Sequence, residues 1–367
     1  MKIDPGIEEV SLADSISRIS AEDIVSDVNI PPFNRSAVDG YAVKSEDTFG
    51  ASTSSPIYLK VKGRIEVGSS PKISIGPGEC VEVSTGSMIP EGADAVIMRE
   101  HTKLLEDGLL EVYESVSHLE NISLIGEDLK RGEKVVRRGD VIRPWHVGVL
   151  ASINVCRIRV LKPWTIGVFS TGSELVEACR RPGPGKIIAS TKEVLKAYFA
   201  EKGFNVIDYG IVEDDLNKIA EMFRRALSEC EVVVSTGGTS VGRRDYTVKA
   251  IELQDGLEDM VHGIAVKPGR PAAIASVGGR LVIAASGLPV AALVDVEALF
   301  HPIYEHYYGL NNVYKPVVEA VLDRRIYVGA GLRGYVRVMV YRSGGVVRAM
   351  PLRITGSGVL STLLRAN

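Results

Sequence analysis

Apolar and polar residues alternate along residues 56–63 (PIYLKVKG), along 79–85 (ECVEVST) and on either side of Asp107-Gly108 within residues 103–113. A period of two predicts strands, so this stretch reads as a small β domain with Asp107-Gly108 as a hairpin turn. Upstream, Leu12, Ile16 and Ile19 fall at helical spacing behind Ser11, whose S-L-A-D string has the form of a capping box, and a short helix is expected through about residue 18. Pro31-Pro32 ends regular structure, and residues 34–43 (NRSAVDGYAV) read as an ordered turn.

Further along, Pro144 is placed to open a short helix and residues 153–160 read as a strand. A different rhythm then begins. Strands are expected at 165–170, 206–210, 232–235 and 281–285, and helices at 191–201, 216–227, 245–253 and 289–299. That alternation predicts a mostly parallel sheet covered by helices on both faces, with ligands at the carboxyl ends of the strands. From about residue 314 the two-residue period returns in 317–328 (VVEAVLDRRIYV), 335–342 (YVRVMVYR) and 344–354 (GGVVRAMPLRI), with Ser343-Gly344-Gly345 as a turn. The chain is therefore expected to be a multidomain α/β protein. Its central three-layer α/β domain should be flanked by β-rich domains and a small barrel-like β domain at the C-terminal end.

Residues 329–334 (GAGLRG) match the dinucleotide pattern G-x-G-x-x-G, but a strand-like run follows where that site needs a helix, and residues 350–353 offer no acid. A β-turn between strands is the better reading. Composition narrows the picture further. With 45% hydrophobic and 24% charged residues over 367 positions, the chain reads as an ordinary globular protein of two to three domains. No apolar run reaches the roughly 18 residues of a membrane span, and the acidic start does not resemble a signal peptide, so no membrane partner and a cytoplasmic location are expected. The net charge of −3 gives no general attraction to nucleic acid, and any anion must be caught locally. Cys80, Cys156, Cys179 and Cys230 form no C-x-x-C pair and are expected to be buried thiols.

Local capture of an anion is what residues 232–247 (VVVSTGGTSVGRRDYT) suggest. Three valines favour a buried strand, Gly237, Gly238 and Gly242 permit a tight turn with exposed N–H groups, and Asp245 could hold a metal or cap the next helix. Residues 169–175 (FSTGSEL) parallel this loop, with Gly172 in the turn and Glu174 at an expected helix start, serving either a ligand or the helix dipole. Asp214-Asp215 ends another strand ahead of a helix, and one of the pair is expected to be a cap. Lys267-Pro268-Gly269-Arg270-Pro271 holds two cations in a stiff loop suited to an oxyanion or a phosphate. Acids and cations around phosphate-type loops point to Mg²⁺-assisted chemistry on a phosphorylated substrate.

Six ordered segments carry a resemblance that covers nearly the whole chain: 34–43, 84–98 (STGSMIPEGADAVIM), 126–132 (GEDLKRG), 170–175 (STGSEL), 235–246 and 267–271 (KPGRP). The chain resembles the molybdopterin molybdenumtransferases, the MoeA and gephyrin E-domain family. The resemblance implies an elongated homodimer of four-domain subunits that inserts molybdate into adenylylated molybdopterin with Mg²⁺ and releases AMP. It implies a discontinuous linker and dimerisation domain at 1–44 and 122–161, an inserted β domain at 45–121, a molybdopterin-binding α/β domain at 162–305 and a C-terminal β domain at 306–367. By motif, Asp39, Asp128, Glu174 and Asp245 would be catalytic, with Glu174 and Asp245 as metal ligands. Thr85, Ser170, Thr171, Gly172, Asp214, Asp215, Gly237, Gly238, Ser240, Lys267, Arg270 and Pro289 would bind substrate, with Asp39 and Thr85 reaching the cleft from the partner subunit.

Departures accompany the match. The family pattern L-P-G-N-P-V is shortened here to Leu288-Pro289-Val290 behind Ser286-Gly287, D-S-N is replaced by Ala189-Ser190-Thr191, and Arg243 stands where an acidic or small residue is usual. Residues 356–367 resemble a segment normally followed by one more strand. Two rivals follow: a molybdopterin adenylyltransferase, which shares the glycine-rich loop and aspartate, and a scaffold that holds the pterin without inserting metal, which the shortened turn would suit.

Overall fold

The structure, a computed structural model, describes residues 4–238, 245–311, 316–352 and 358–366. Two compact units make up the chain, one from Met1–Glu22, Arg138–Pro144 and Arg157–Asn367, the other from Asp23–Arg137 and Trp145–Cys156.

The first unit is organised by a six-stranded sheet of β1 (Thr165–Thr171), β2 (Asn205–Val212), β3 (Val232–Thr236), β4 (Leu257–His262), β5 (Ala273–Val277) and β6 (Arg280–Ala285). Their spatial order is β2-β1-β3-β6-β5-β4. The first four in that order run parallel, whereas β5 and β4 are added antiparallel. Four helices connect and cover the strands: α1 (Ser190–Glu201), α2 (Leu216–Glu229), α3 (Tyr246–Glu252) and α4 (Pro289–Tyr308). Side-chain alternation decides which face each covers. Ile166 and Val168, Val232 and Val234, and Leu281 and Ile283 turn to α1 and α4, where Leu195, Phe199, Val296 and Phe300 bury them. Phe169, Val233, Val282 and Ala284 turn the other way, onto Ile219 and Phe223 of α2 and Val248 and Ile251 of α3. Burying each large apolar side chain contributes about 1.5–3 kcal/mol. A parallel sheet covered on both faces needs these near-continuous apolar runs.

Trp164, only 1% exposed, locks the start of β1 to the end of α4. It packs edge-on against Tyr308 at 5.0 Å, whose hydroxyl accepts the Trp164 N–H at 2.9 Å and donates to the Lys162 carbonyl at 2.7 Å. At the N-terminal end the expected helix is replaced by a strand, Ile7–Ser11, paired antiparallel with Arg157–Leu161. Ser11 and Asp14 do exchange cap-like hydrogen bonds, but the cap closes only one 3₁₀ turn, Ala13–Ser15. Ile19 goes instead into the α/β core. Beyond α4, Val338–Ser343 and Val346–Pro351 form the expected hairpin through Gly344-Gly345. In residues 317–328 only Val321–Leu322 is a strand, because Val317, Val318 and Tyr327 are exposed and give the alternation no face to bury.

The second unit carries a second six-stranded sheet, in the order Ala95–Met98, Gly40–Val43, Glu79–Val83, Ile57–Ile65, Leu109–Val112 and Thr102–Leu104. All of its pairings are antiparallel except Ile57–Ile65 with Glu79–Val83. Pro144 opens a helix, Pro144–Ser152, that leaves Trp145 67% exposed. The cysteines divide: Cys80 and Cys230 are buried as expected, while Cys156 and Cys179 are exposed.

Candidate active site

The strand order reverses direction between β2, β1 and β3, and ligands of open α/β sheets bind outside the carboxyl ends at such a point. A cleft of about 720 Å³ lies there, lined from the ends of β1, β3 and β6 and the start of α1. β1 and β3 both end in Ser-Thr-Gly but pair one residue out of phase, with Ser170 opposite Thr236. The two hydroxyls meet at 2.7 Å as part of the cleft floor. Behind them Gly237 adopts φ +93, and a Cβ there would lie 2.4 Å from the Thr171 carbonyl oxygen, so only glycine lets the two strand ends close up. Thr247 Oγ1 donates to the Gly237 carbonyl at 3.0 Å and ties α3 to this turn.

Glu174 and Asp214 both line the cleft. Asp214 Oδ2 accepts the Ser173 N–H at 3.1 Å, which joins the loops after β1 and β2. Glu174 does not open a helix as expected; it sits in a turn leading to the short strand Leu175–Val176. Asp215 is the cap of the pair, accepting the Lys218 N–H at 2.9 Å at the start of α2. Asp245 caps α3 through the Val248 N–H at 3.4 Å, and its other oxygen lies 3.6 Å from His262 Nε2. Burial raises the Asp245 pKa, only partly offset by that N–H and by the nearby His262 and Lys249.

The third wall is the turn after β6. Ser286 N–H donates to Asp295 Oδ2 at 2.8 Å, Thr191 Oγ1 donates to the Gly287 carbonyl at 2.7 Å, and Pro289 is the first residue of α4. Gly269 and Pro271 bring the 267–271 loop to the cleft, while Lys267 and Arg270 are exposed residues of the same loop. Ser240 lies outside the described residues, as do Gly242 and Arg243. Asp39, Thr85 and Asp128 belong to the second unit and are exposed. There Asp39 Oδ1 accepts from the Thr85 N–H at 2.7 Å and from its hydroxyl at 3.1 Å, and the backbone bond, then the hydroxyl, holds the Asp39 carboxyl below its usual pKa.

Sequence reasoning passed over the apolar flank of the cleft, formed by Leu175, Ile187, Ile188, Leu288 and Leu360, and it passed over Thr191 as a hydroxyl donor. The Ile187-Ile188 pair after a Pro-Gly turn was the available signal. It also passed over Asp295, a carboxyl fully buried on the apolar side of α4. Among the described residues no group of three or more His, Cys, Asp and Glu side chains forms a metal cage.

Comparison with known proteins defines the class. The family model for the MoeA N-terminal region (domain I and II) matches residues 2–154, and the one described as a probable molybdopterin binding domain matches residues 167–306. A molybdopterin molybdenumtransferase of Staphylococcus epidermidis is 33% identical over 361 residues, covering 98% of this chain and 85% of the relative. A protein of Methanocaldococcus jannaschii, named provisionally for molybdopterin biosynthesis, is 36% identical over 370 residues, covering 98% and 86%. The crystal structure of the molybdopterin biosynthesis MoeA protein of Pyrococcus horikoshii superposes with a TM-score of 0.83 at 32% identity, covering 99% of this chain and 89% of that one. The class is that of multidomain proteins built on a molybdopterin-binding α/β domain. Within it, the chain belongs to the MoeA family.

Proposed function

We propose that the protein acts in molybdenum cofactor biosynthesis as a molybdopterin molybdenumtransferase, taking adenylylated molybdopterin and molybdate as substrates, releasing AMP, and working as a homodimer in the cytoplasm. The observation that carries this reading is the cleft itself, with a hydroxyl and backbone floor, carboxylates on one side and an apolar flank on the other. Polar backbone at the strand ends suits phosphate oxygens, and the apolar flank suits a planar pterin or adenine ring. Glu174 and Asp245, with Asp214 as a further candidate, would hold Mg²⁺, whose positive charge would offset that of the phosphates. Of these, Glu174 and Asp214 line the cleft and Asp245 is not among its lining residues, so the cleft itself supplies two carboxylates, a number that suits Mg²⁺ bound together with substrate phosphates. Lys267 and Arg270 are assigned to molybdate, a tetrahedral dianion, and Pro289 places the amino end of a 20-residue helix, its positive pole, at the same wall.

The decisive experiment supplies the purified protein with adenylylated molybdopterin, Mg²⁺ and molybdate and measures AMP. Release that requires molybdate supports insertion. ATP consumption would support an adenylyltransferase instead. Tight pterin binding without turnover would support a scaffold.

A further inference from the structure

Asp295 takes no part in the chemistry above, yet it lies between two walls of the cleft. It sits in the second turn of α4 with no exposed surface, in a stretch that otherwise buries Ala292, Val296 and Phe300. Oδ2 accepts the Ser286 N–H at 2.8 Å, and Oδ1 has no hydrogen-bond partner among the described residues. The backbone of the 266–271 loop lies directly on that second oxygen. A Cβ on Gly269 would come within 1.9 Å of Oδ1, and Gly269 has φ +115, so glycine is required twice over. Burial pushes the Asp295 carboxyl up to about 7. An acid here is an expensive way to fill core volume, since an aliphatic side chain would pack without desolvation cost. It has a use if one planar group must hold one segment and bear on another.

We propose that Asp295 is a positioning residue, a clasp that fixes the 286–289 turn through the Ser286 N–H and sets how closely the 266–271 loop approaches it. Ser286 and Gly269 both line the cleft, so the clasp sets the width of the end assigned to the oxyanion. Thr191 Oγ1 holds the neighbouring Gly287 carbonyl, and together the two bonds steady the turn that leads into α4. The consequence for molybdate rests on the transferase reading, whereas the clasp does not.

Asp295→Ala removes both contacts, and Asp295→Asn keeps the shape and an acceptor for Ser286. Amide hydrogen exchange on the full chain reads the 266–271 and 286–289 segments, while AMP release reads the half-saturating molybdate concentration. In Asp295→Ala both segments should exchange at least about tenfold faster, and half-saturating molybdate should rise about tenfold with a smaller change in the saturated rate. Asp295→Asn should stay within about threefold of wild type on each measure, which a role for the negative charge would not allow. Wild-type exchange of 266–271 in Asp295→Ala, or an unchanged molybdate dependence beside a reduced saturated rate, overturns the proposal. If the wild-type protein shows no molybdate-dependent AMP release, the transferase reading fails and the 266–271 exchange alone decides the clasp. Should Asp295→Ala not fold, Gly269→Ala forces the loop off the carboxyl. It should raise half-saturating molybdate and speed exchange of 266–271 with 286–289 still protected, and unchanged exchange of 266–271 overturns the proposal.

Discussion

β1 and β3 end in the same three residues, Ser-Thr-Gly, and use them differently. Because the strands pair one residue out of phase, Ser170 of the first string faces Thr236 of the second, and the two hydroxyls join on the cleft floor. Ser235, the counterpart of Ser170, falls opposite Phe169 and is buried with its hydroxyl unpartnered among the described residues. The acids that follow diverge as well. Glu174 stands exposed in the cleft wall, whereas Asp245 is drawn into the first turn of α3 as its cap. A one-residue slip sends every side chain to the opposite face, so equal motifs on adjacent strands need not have equal duties.

The largest effect expected from this contrast is at Glu174. Glu174→Gln keeps size and polarity but removes the charge, and AMP release should fall about a hundredfold with the melting temperature unchanged, as loss of a charged ligand contact of up to about 3 kcal/mol implies. Near-normal turnover would reassign the cleft's acid role to Asp214. Sharing of the site between subunits gives the next test. Mixing inactive Asp39→Ala with inactive Glu174→Ala subunits should restore part of the activity, since one cleft of the mixed dimer would regain both carboxylates. No recovery despite verified subunit exchange removes Asp39 from the shared site. Arg270→Ala should raise half-saturating molybdate about tenfold to a hundredfold and leave pterin binding intact. The opposite pattern makes the 267–271 loop a phosphate clamp.

The smallest stability change to be measured is at Asp245, where the proposed metal role and the capping role can be separated. Asparagine caps about as well as aspartate, so Asp245→Asn should retain stability, while Asp245→Ala should lose about 0.5–2 kcal/mol. If activity falls equally in both, the carboxylate serves chemistry; if it falls only in the alanine variant, the cap is the whole role. The pH dependence has a definite sign. Burial raises the Asp245 pKa above its ordinary 3.8, so the folded state holds the proton more tightly than the unfolded chain. Its contribution is fully present below 3.8 and lost as pH rises through the higher folded value. Stability of Asp245→Asn measured across that window should lack this decline.

Much of the fold was legible in the sequence, because the α/β helices and parallel strands are apolar on schedules that nothing else in the chain imitates. The antiparallel strands β4 and β5 were not: Leu257, Met260 and Ile274 carry no element expectation, and their strands form by pairing of β5 with β6 and of β4 with β5. Tertiary pairing also outweighed local signals at Ser11, where an adequate cap lost to a strand partner at Arg157–Leu161. In the site, the glycine turns and Glu174 were visible as motifs, and the choice of Asp215 as cap over Asp214 was not, since either spacing could serve α2. Asp295 escaped because its role depends on two segments brought together only by folding.

The chain has two tryptophans, and each unit holds one. Trp164 is enclosed by tyrosine and phenylalanine rings, whereas Trp145 stands 67% exposed on its helix. The protein thus carries two intrinsic fluorophores of opposite character, a shielded, blue-emitting one in the α/β unit and a quencher-accessible, red-emitting one in the other. Acrylamide quenching and emission maxima followed through denaturant would then report the two units separately, without a label. Any surface that comes to cover Trp145 would announce itself as a loss of quenching while the signal of Trp164 stays unchanged.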